Sequence, residues 1–396
     1  MCGGGASGFF AAINIARIHP HYHVTILEKS SKVLSKVKVS GGGRCNVTNA
    51  RTKPSELVKF YPRGEKKLYA LFKRFSSKDM VNWLGDMGVS IRAEDDQRMF
   101  PITNSSQTII DCFLDTAQQV GVIVKRNCAF AGIRRLGQAW EVTLQGGQTV
   151  VGDIVVMATG SAPSVGKQLR ALGLNMEPPV PSLFTFNIKD SRLQGLAGMS
   201  FSEVQVRVTS SKLEEDGPLL ITHWGLSGPA ILKLSAWGAR WLAKYNYNFD
   251  IQVNFLGNKN FDQCRQDLLN YKVDHAARLV KNYPLSSLPK RYWERLLQVH
   301  EISLSTPFGD LPNKMLNKLA VELTQATFKV QGKSTFKEEF VTCGGVSLSE
   351  IDLNTMQSKR FPGLYFTGEV LNIDAITGGF NFQSCWTTAW IAAESM

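Results

Sequence analysis

The sequence predicts an α/β protein whose main domain is interrupted by a long segment of different character. From Gly3 to about Pro181, helical and strand patterns alternate, as they do around a parallel sheet. From Phe184 to about Phe255, apolar residues alternate at period two, which predicts a small antiparallel sheet or barrel. The pattern from Asp262 to Gln325 is helical. The chain closes with a strand, a glycine-rich loop and an apolar helix, which indicates a return to the first domain.

The first element is a glycine cluster that opens a helix. Gly3, Gly5 and Gly8 have the spacing GxGxxG, and the helical pattern GFFAAINIARI follows. In dinucleotide-binding folds such glycines let the backbone approach a pyrophosphate, and the helix N-terminus supplies partial positive charge. The strand pattern HVTILE then ends on Glu28, where a carboxylate is placed to bind ribose hydroxyls. Together these elements predict a nucleotide-binding site.

The strand that normally precedes such a glycine cluster is missing from the sequence pattern, because only Met1 and Cys2 stand before Gly3. A central parallel strand is buried on both faces, so its loss weakens the predicted phosphate site. A start placed too far downstream explains this pattern better than a natural loss, because the other motifs are intact. We therefore expect an upstream start to restore the strand.

Four further segments carry polar or glycine-rich turns. SGGGRCNVTN, at 40–49, is a second glycine loop, whose Arg44 and Asn46 suit a phosphate or a polar ring edge. ATG at 158–160 and TGE at 367–369 each end a strand, and the second supplies a carboxylate for ribityl hydroxyls. TGGFN at 377–381 opens the last helix, so its amides are placed to stabilise negative charge on a reduced flavin ring.

With these motifs the chain resembles the aminoacetone-oxidase and BaiN-like family of bacterial NAD(P)/FAD-dependent oxidoreductases, the HI0933-like flavoproteins. The shared segments span nearly the whole length: GGGASG, LEK, SGGGRCNVTN, THWGLSGPAIL, VTCGGVSLSEIDLNTMQSKRFPGLYFTGEVLNID and TGGFNFQ. The resemblance implies a glutathione-reductase-like FAD-binding Rossmann domain with an inserted β-barrel and helical subdomain. The implied boundaries are 1–183 and 334–396 for the FAD-binding domain, 184–258 and 322–333 for the barrel, and 259–321 for the helical subdomain.

The resemblance also implies which residues hold FAD. The first loop would take the pyrophosphate, Glu28 the adenosine ribose, and the loops at 40–49 and 377–381 the flavin. The full set is Gly3, Gly5, Ala6, Ser7, Gly8, Glu28, Lys29, Lys36, Ser40, Gly41, Gly42, Arg44, Cys45, Asn46, Phe130, Ala158, Thr159, Gly160, Gly368, Glu369, Asp374, Thr377, Gly378, Gly379, Phe380 and Asn381. The chain departs from the family at Leu34, where a glycine is usual, and in a shortened stretch after Gly160.

Positive charge is concentrated in one region of the 396-residue chain. Between Lys29 and Lys78 there are 14 lysines and arginines against two acids, a difference of 12 that equals the net charge of +12. Such a patch attracts nucleic acid, an acidic partner or an anionic cofactor, or it simply keeps the surface solvated.

Other features of the sequence indicate a cytoplasmic protein without metal or disulfides. The seven cysteines are scattered and form no CxxC pair, as in a reducing compartment. There is no apolar run long enough for a membrane span and no pattern of a signal peptide. The cluster HPHYH has histidines at 19, 21 and 23 without a nearby carboxylate or thiol, so we predict no metal site. Cys45 is read as a packed thiol rather than a redox group.

The leading functional prediction is an FAD-dependent oxidoreductase that transfers hydride between flavin and a small organic substrate. The resemblance offers reduction of an enone-like double bond with NAD(P)H as a transient co-substrate, or oxidation of an amine with O₂. His223, in THWGLSGP, is a weak candidate for a catalytic acid and is equally well explained as a structural residue. Neither nucleic acid nor membrane is expected as a partner. An RNA-modifying flavoprotein and a binding protein that has lost FAD remain alternatives.

Overall fold

The computed structural model describes residues 1–285, 288–334 and 341–396, and these form two compact units. One unit comprises residues 1–180 with 341–396, and the other comprises residues 181–334. Part of the strand pattern that follows the helical segment falls on residues 335–340, outside the described residues. The implied division of the insert into a barrel (184–258, 322–333) and a helical subdomain (259–321) stays a prediction.

The helices alternate with strands in the first unit and are inserted between strands of the sheet in the second. Within the described residues they are α1 (Ala6–Ile18), α2 (Ser35–Gly43), α3 (Pro54–Leu57), α4 (Glu65–Phe72), α5 (Ser77–Asp86), α6 (Ser106–Gln119), α7 (Pro163–Ala171), α8 (Pro229–Trp237), α9 (Ala239–Lys244), α10 (Phe261–Asp274), α11 (Lys290–Val299), α12 (Asn313–Thr324) and α13 (Phe380–Glu394).

The strands are mostly short in the first unit and longer in the second. Over the same residues they are β1 (Thr25–Leu27), β2 (Thr48–Asn49), β3 (Ile91–Ala93), β4 (Arg98–Pro101), β5 (Ile123–Lys125), β6 (Phe130–Leu136), β7 (Ala139–Leu144), β8 (Thr149–Gly152), β9 (Val155–Met157), β10 (Met176–Ser182), β11 (Thr185–Asn187), β12 (Ser200–Val208), β13 (Glu214–Ile221), β14 (Gly225–Ser227), β15 (Asn248–Asn254), β16 (Ala326–Gln331), β17 (Lys333–Ser334), β18 (Val341–Val346), β19 (Ile351–Asp352), β20 (Gln357–Ser358) and β21 (Leu364–Phe366).

The first unit is built on two parallel strand pairs that Cys2 connects. β1 pairs in parallel with β5, and β9 pairs in parallel with β21. Cys2 forms parallel bridges to both Leu27 and Met157, and Gly3 N donates to Leu27 O at 2.8 Å. The expectation of a glycine cluster without strand support is therefore corrected, because Met1 and Cys2 occupy the position between β1 and β9.

Helix α1 packs against α13, and both are apolar on nearly every face. Phe9, Phe10 and Ile13 of α1 are fully buried, as is Trp386 of α13. A helix that is apolar all round belongs in the middle of a domain, between a sheet and other helices. This arrangement places the N-termini of α1 and α13 at the ends of the parallel strands, where α/β proteins bind ligands.

Two smaller antiparallel sheets flank this core. The predicted meander forms a three-stranded sheet in the order β6-β7-β8, and β2, β4 and β3 form another. In β7 buried residues alternate with half-buried ones, which is the period of a strand with one face covered. The parallel pairs, the meander and the helices confirm the predicted α/β class.

The second unit contains a seven-stranded sheet in the order β16-β15-β12-β13-β14-β11-β17, described for residues 181–285 and 288–334. Its neighbouring strands pair antiparallel, and β12 shows the alternating burial that the sequence predicted. The helical pattern predicted from Asp262 onward is interrupted, since α10 ends at Asp274. Among the described residues, no helix combines the length and the apolarity that a membrane span requires.

Candidate functional site

The glycine cluster forms a tight loop that only glycines fit at its two ends. Gly3 has a φ of +112°, and a Cβ there would lie 2.3 Å from the carbonyl oxygen of Ala158. A Cβ on Gly8 would lie 2.0 Å from Gly3 O. A Cβ on Gly5 would meet open space, and no side chain caps the helix that starts beside it. The first-turn amides of α1 are therefore available to an anion.

The acid at the end of β1 is oriented toward this loop. Glu28 Oε2 accepts a hydrogen bond from Gly4 N at 2.7 Å, and Oε1 accepts from Ser30 N at 2.9 Å. Its backbone oxygen accepts from Cys128 N at 2.7 Å, which brings the start of β6, with Phe130, to the same side of the sheet. Glu28 is only partly buried, so the carboxylate keeps an edge exposed to a ribose.

An ion pair connects the predicted phosphate and ribityl regions. Lys36 Nζ lies 2.5 Å from Glu369 Oε2, and Oε1 of the same carboxylate accepts from Thr342 N at 3.2 Å. A Cβ on Gly160 would lie 3.5 Å from Glu369 Oε2, so the turns at 158–160 and 367–369 meet here. The Lys36 side chain is 51% exposed, which leaves its charge accessible to a phosphate.

The second glycine loop interrupts helix α2. Backbone geometry inside α2 is non-helical from Ser40 to Gly42, and Gly41 and Gly42 have φ values of +58° and +68°. A Cβ on Gly41 would lie 2.9 Å from Asn46 N, so the loop folds closely back on itself. The left-handed geometry explains the run of glycines, since other residues adopt it at a cost.

Two residues of this loop have their side chains engaged within the protein, and their predicted place on the flavin side stays a prediction. Arg44 Nη1 lies 2.6 Å from Glu94 Oε1, and its guanidinium lies 4.0 Å from the centre of the Phe100 ring. Cys45 is fully buried, and burial raises the pKa of its thiol to about 12. Arg44 therefore braces the loop against the β3–β4 hairpin, and Cys45 is a packed, protonated thiol.

The two glycine loops from opposite ends of the chain are joined by hydrogen bonds. With its amide oxygen toward Gly379, Asn46 accepts from Gly379 N at 2.9 Å and donates to Thr48 O at 3.0 Å. Asn49 Nδ2 donates to Gly378 O at 3.0 Å. Gly379 has a φ of +87°, and a Cβ there would lie 2.3 Å from Thr48 O. The loops therefore form one wall at the N-terminus of α13.

Asp374 and Asn381 support this wall with side chains that point into the protein, and their predicted role as cofactor ligands stays a prediction. Asp374 is fully buried and forms an ion pair with Arg63. Asn381 Oδ1 accepts from Ala375 N at 2.9 Å, and its Nδ2 donates to Ala375 O at 3.0 Å. Both side chains fix the backbone between β21 and α13. Phe380, also predicted, is buried and stacks on Phe60 at 4.4 Å between ring centres.

The other predicted residues lie around the same loops, with one exception. A Cβ on Gly368 would lie 2.5 Å from Ser7 Oγ, which explains why a glycine stands at this position. Ala6, Thr159 and Thr377 are partly or wholly accessible in the loops, and Lys29 is exposed beside Glu28. His223 lies in the other unit, exposed in the turn between β13 and β14, and its catalytic role stays a prediction.

Sequence reasoning missed three residues that hold the site together. Thr342 Oγ1 donates to Ser161 Oγ at 2.8 Å and its backbone binds Glu369. Arg63 neutralises Asp374, and Asn49 holds Gly378. Asn49 stands inside the motif SGGGRCNVTN, so the sequence motif could have indicated it as a site residue. Nothing in the residues around Arg63 or Thr342 indicated their partners, which lie far away in the sequence.

These features fit a dinucleotide cofactor of the FAD type. The loop at 3–8 offers amides and a close approach for phosphates. Glu28, just after β1, hydrogen-bonds to this loop and is placed for the ribose. Glu369 and Lys36 follow, and the wall at α13 supplies amides for the flavin end. The predicted order along the sheet edge, which stays a prediction, is adenosine, pyrophosphate, ribityl and flavin.

The chain matches known proteins over its whole length. The family model described as HI0933-like protein Rossmann domain covers residues 1–395. The ribosomal RNA dihydrouridine synthase of Escherichia coli (strain K12) is 29% identical over 415 residues, which cover 100% of this chain and 97% of that protein. The 3-dehydro-bile acid delta(4,6)-reductase of Clostridium scindens is 26% identical over 414 residues, covering 100% and 98%.

Solved structures agree at the level of the fold. The open conformation of a flavocytochrome c3 fumarate reductase has a TM-score of 0.52 and 14% identity, and it covers 100% of this chain and 77% of that chain. The predicted family and the predicted Rossmann fold are thereby confirmed. The chain belongs to the HI0933-like family of Rossmann-fold proteins and, with it, to the FAD-dependent oxidoreductases.

Proposed function

We propose that this protein uses FAD to reduce a carbon–carbon double bond conjugated with a carbonyl group. The names of two relatives support this reaction class. A 3-dehydro-bile acid delta(4,6)-reductase saturates double bonds of a keto steroid acid, and a dihydrouridine synthase adds two hydrogens to a uracil ring. Both substrates present a double bond in conjugation with a carbonyl, which is the kind of bond that accepts hydride.

The observation that carries the proposal is the junction of the two glycine loops at the N-terminus of α13. FAD, when bound, supplies the hydride for the reaction. The chain supplies Gly378 and Gly379, whose backbone follows a left-handed path toward the first turn of α13. Asn46 and Asn49 hold these glycines in place. Amides at a helix N-terminus stabilise negative charge, so this wall favours the reduced, anionic state of the cofactor.

NAD(P)H is the proposed source of electrons. The sequence contains one GxGxxG cluster with a following strand and acid, and we assign that cluster to FAD. A nicotinamide would then bind transiently to the exposed ring of the flavin, without a nucleotide-binding domain of its own. Amine oxidation with O₂ would use the same cofactor site, and the experiment must distinguish it from reduction of a double bond.

The test is an anaerobic half-reaction study of the FAD-loaded protein. NADPH or NADH should bleach the flavin absorbance, and a small enone such as 2-cyclohexen-1-one should restore it without oxygen. Bleaching by an amine instead of a nicotinamide, with recovery only on exposure to air, would replace reduction by amine oxidation. A protein that takes up no FAD would contradict every version of the proposal.

A uracil ring in RNA is a second candidate for the reduced substrate. The concentration of 14 lysines and arginines against two acids between Lys29 and Lys78 favours a polyanion. The relationship to a ribosomal RNA dihydrouridine synthase points the same way, so the prediction that nucleic acid is not a partner gains no support. Nucleoside mass spectrometry of unmodified ribosomal RNA, after incubation with the protein and NADPH, would detect dihydrouridine if this candidate is right.

A further inference from the structure

The most basic segment of the chain includes one helix with an exposed aromatic ring among lysines. Helix α4 buries Leu68, Leu71 and Phe72. Its opposite side carries Lys66 and Tyr69, Lys73 follows at its C-terminus, and Lys67 lies at the edge between the two sides; all four residues are exposed. We call these four residues the α4 face. The core contacts of α4 explain its buried side, and the ring of Tyr69 on the other side is exposed beside Lys73.

The α4 face keeps its charge and its ring accessible. Tyr69 is 41% exposed, and Lys73 Nζ lies 4.5 Å from the centre of its ring. Within the described residues, the three lysines make no ion pair, whereas Lys53 and Arg74 nearby are paired with Glu56 and Glu394. Glu65, in the first turn, is the single acid of α4. The face therefore carries net positive charge around one flat ring.

The segment that leads into α4 is fastened to the predicted flavin loop. Arg63 forms a buried ion pair with Asp374, and Ile376 N donates to Phe60 O at 3.0 Å. Tyr61 OH donates to Phe380 O. These contacts lie within one unit, so the segment that leads into α4 keeps a fixed position relative to the loop that starts α13.

We propose that the α4 face docks a single-stranded RNA segment that carries the uracil to be reduced. An aromatic ring stacks on a base, and lysines beside it bind the flanking phosphates, which is the usual combination in single-strand binding. An acidic protein would use the lysines but would gain little from Tyr69. The inference rests on the proposed reduction of uracil in RNA, and it adds the surface that would bring that substrate to the flavin.

The experiment measures binding of a fluorescein-labelled RNA stem–loop with a uridine-rich loop to the FAD-loaded protein. The triple charge reversal Lys66→Glu, Lys67→Glu, Lys73→Glu should weaken binding by about tenfold or more near 0.1 M salt. It should also lower the slope of log Kd against log salt by about two, at roughly 0.7 per lost phosphate contact. Tyr69→Ala should weaken binding by about 5- to 100-fold with little change of slope, and Tyr69→Phe should retain it.

The matched control reverses three exposed lysines elsewhere, Lys167, Lys212 and Lys314, with the same change of net charge. Equal weakening by both triple variants would overturn the proposal, because net charge alone would then explain binding. Binding of poly-glutamate through the same lysines, insensitive to Tyr69→Ala, would assign the face to an acidic protein instead.

The two proposals fail in different ways. FAD content and enone-dependent reoxidation of the flavin should be the same in the α4 variants as in the unmodified protein. If 2-cyclohexen-1-one reoxidises the flavin but the stem–loop binds independently of the α4 face, the docking surface is wrong and the reaction class stands. If the stem–loop binds through the α4 face but neither it nor the enone reoxidises the flavin, the reaction is wrong and the docking surface stands.

Discussion

Replacing Gly5 by alanine separates folding from cofactor binding more cleanly than any other change in the glycine loop. Gly5 has a φ of −90°, which alanine adopts without strain, and a Cβ there meets nothing within 4 Å. The contrast is Gly8, where a Cβ would lie 2.0 Å from Gly3 O. Gly5→Ala therefore adds a methyl group only to the space that we assign to the pyrophosphate.

The expected effect on stability is small and the effect on FAD is large. Alanine caps a helix less well than glycine by a few tenths to about 1 kcal/mol, and it recovers a similar amount by restricting the unfolded chain. The free energy of unfolding should therefore change by less than about 1 kcal/mol. Losing one charge-assisted hydrogen bond to phosphate costs about 1.5–3 kcal/mol, which is roughly a 10- to 150-fold increase in the Kd for FAD.

Two measurements check this prediction on the same samples: urea denaturation of the cofactor-free protein and fluorescence titration with FAD. Gly8→Ala should lower the unfolding free energy by about 1–3 kcal/mol, because the close contact with Gly3 must open. Gly85→Ala, in open space on α5, should leave the Kd for FAD unchanged. If Gly5→Ala binds FAD as tightly as the unmodified protein, the loop at 3–8 is not the phosphate site.

The remaining predictions concern the support of the site. Gly379 has a φ of +87°, and a Cβ there would lie 2.3 Å from a backbone oxygen, whereas Gly88 has a φ of +78° in open space. Gly379→Ala should therefore lower FAD content and melting temperature more than Gly88→Ala. Equal effects would exclude the close approach as the cause. Asp374→Ala should lower the free energy of unfolding by about 3–5 kcal/mol in urea denaturation, since it removes the buried carboxylate that pairs with the Arg63 guanidinium, and Arg63→Met in the same chain should recover part of the loss. Burial raises the pKa of Cys45 from 9.0 to about 12, so between these pH values the folded thiol keeps a proton that the unfolded chain releases. The free energy of unfolding should therefore fall as pH rises from about 9 to 12. Alkylation of the native protein at pH 8, followed by mass spectrometry, should leave Cys45 unmodified.

The sequence predicted most accurately those parts of the site that depend on local backbone geometry. Gly3, Gly8 and Gly379 were identified from their spacing, and each stands where a Cβ would collide with a backbone oxygen. The positive φ of Gly3 and Gly379 is a local backbone property that a short motif can carry, whereas the oxygens that they approach belong to Ala158 and Thr48, far away in the sequence. The Rossmann fold followed from the same motifs because the strand, loop and helix are contiguous in the chain.

Side-chain direction was harder to predict, because it depends on partners that are distant in the sequence. Asp374 is turned into the protein by Arg63, and Arg44 is neutralised by Glu94. Their residue types suit a cofactor equally well, so only the fold distinguishes a ligand from a brace. The end of α10 at Asp274 was hard to predict for the same reason, a partner that is distant in the sequence. The helical pattern continues beyond Asp274, but Leu279 forms a β-bridge to Pro307.

The support around the flavin loop has a consequence for the substrate. Arg63, Tyr61 and Phe60 connect the basic segment to the loop at 373–380 through a buried ion pair and two backbone contacts. A segment fixed so firmly on its inner side keeps its outer residues at a constant position relative to the cofactor wall. The same contacts stabilise the fold, and a surface that presents a base to the cofactor would also require the fixed position that they provide. This requirement, together with the concentration of positive charge between Lys29 and Lys78, is the reason to test RNA as well as small enones.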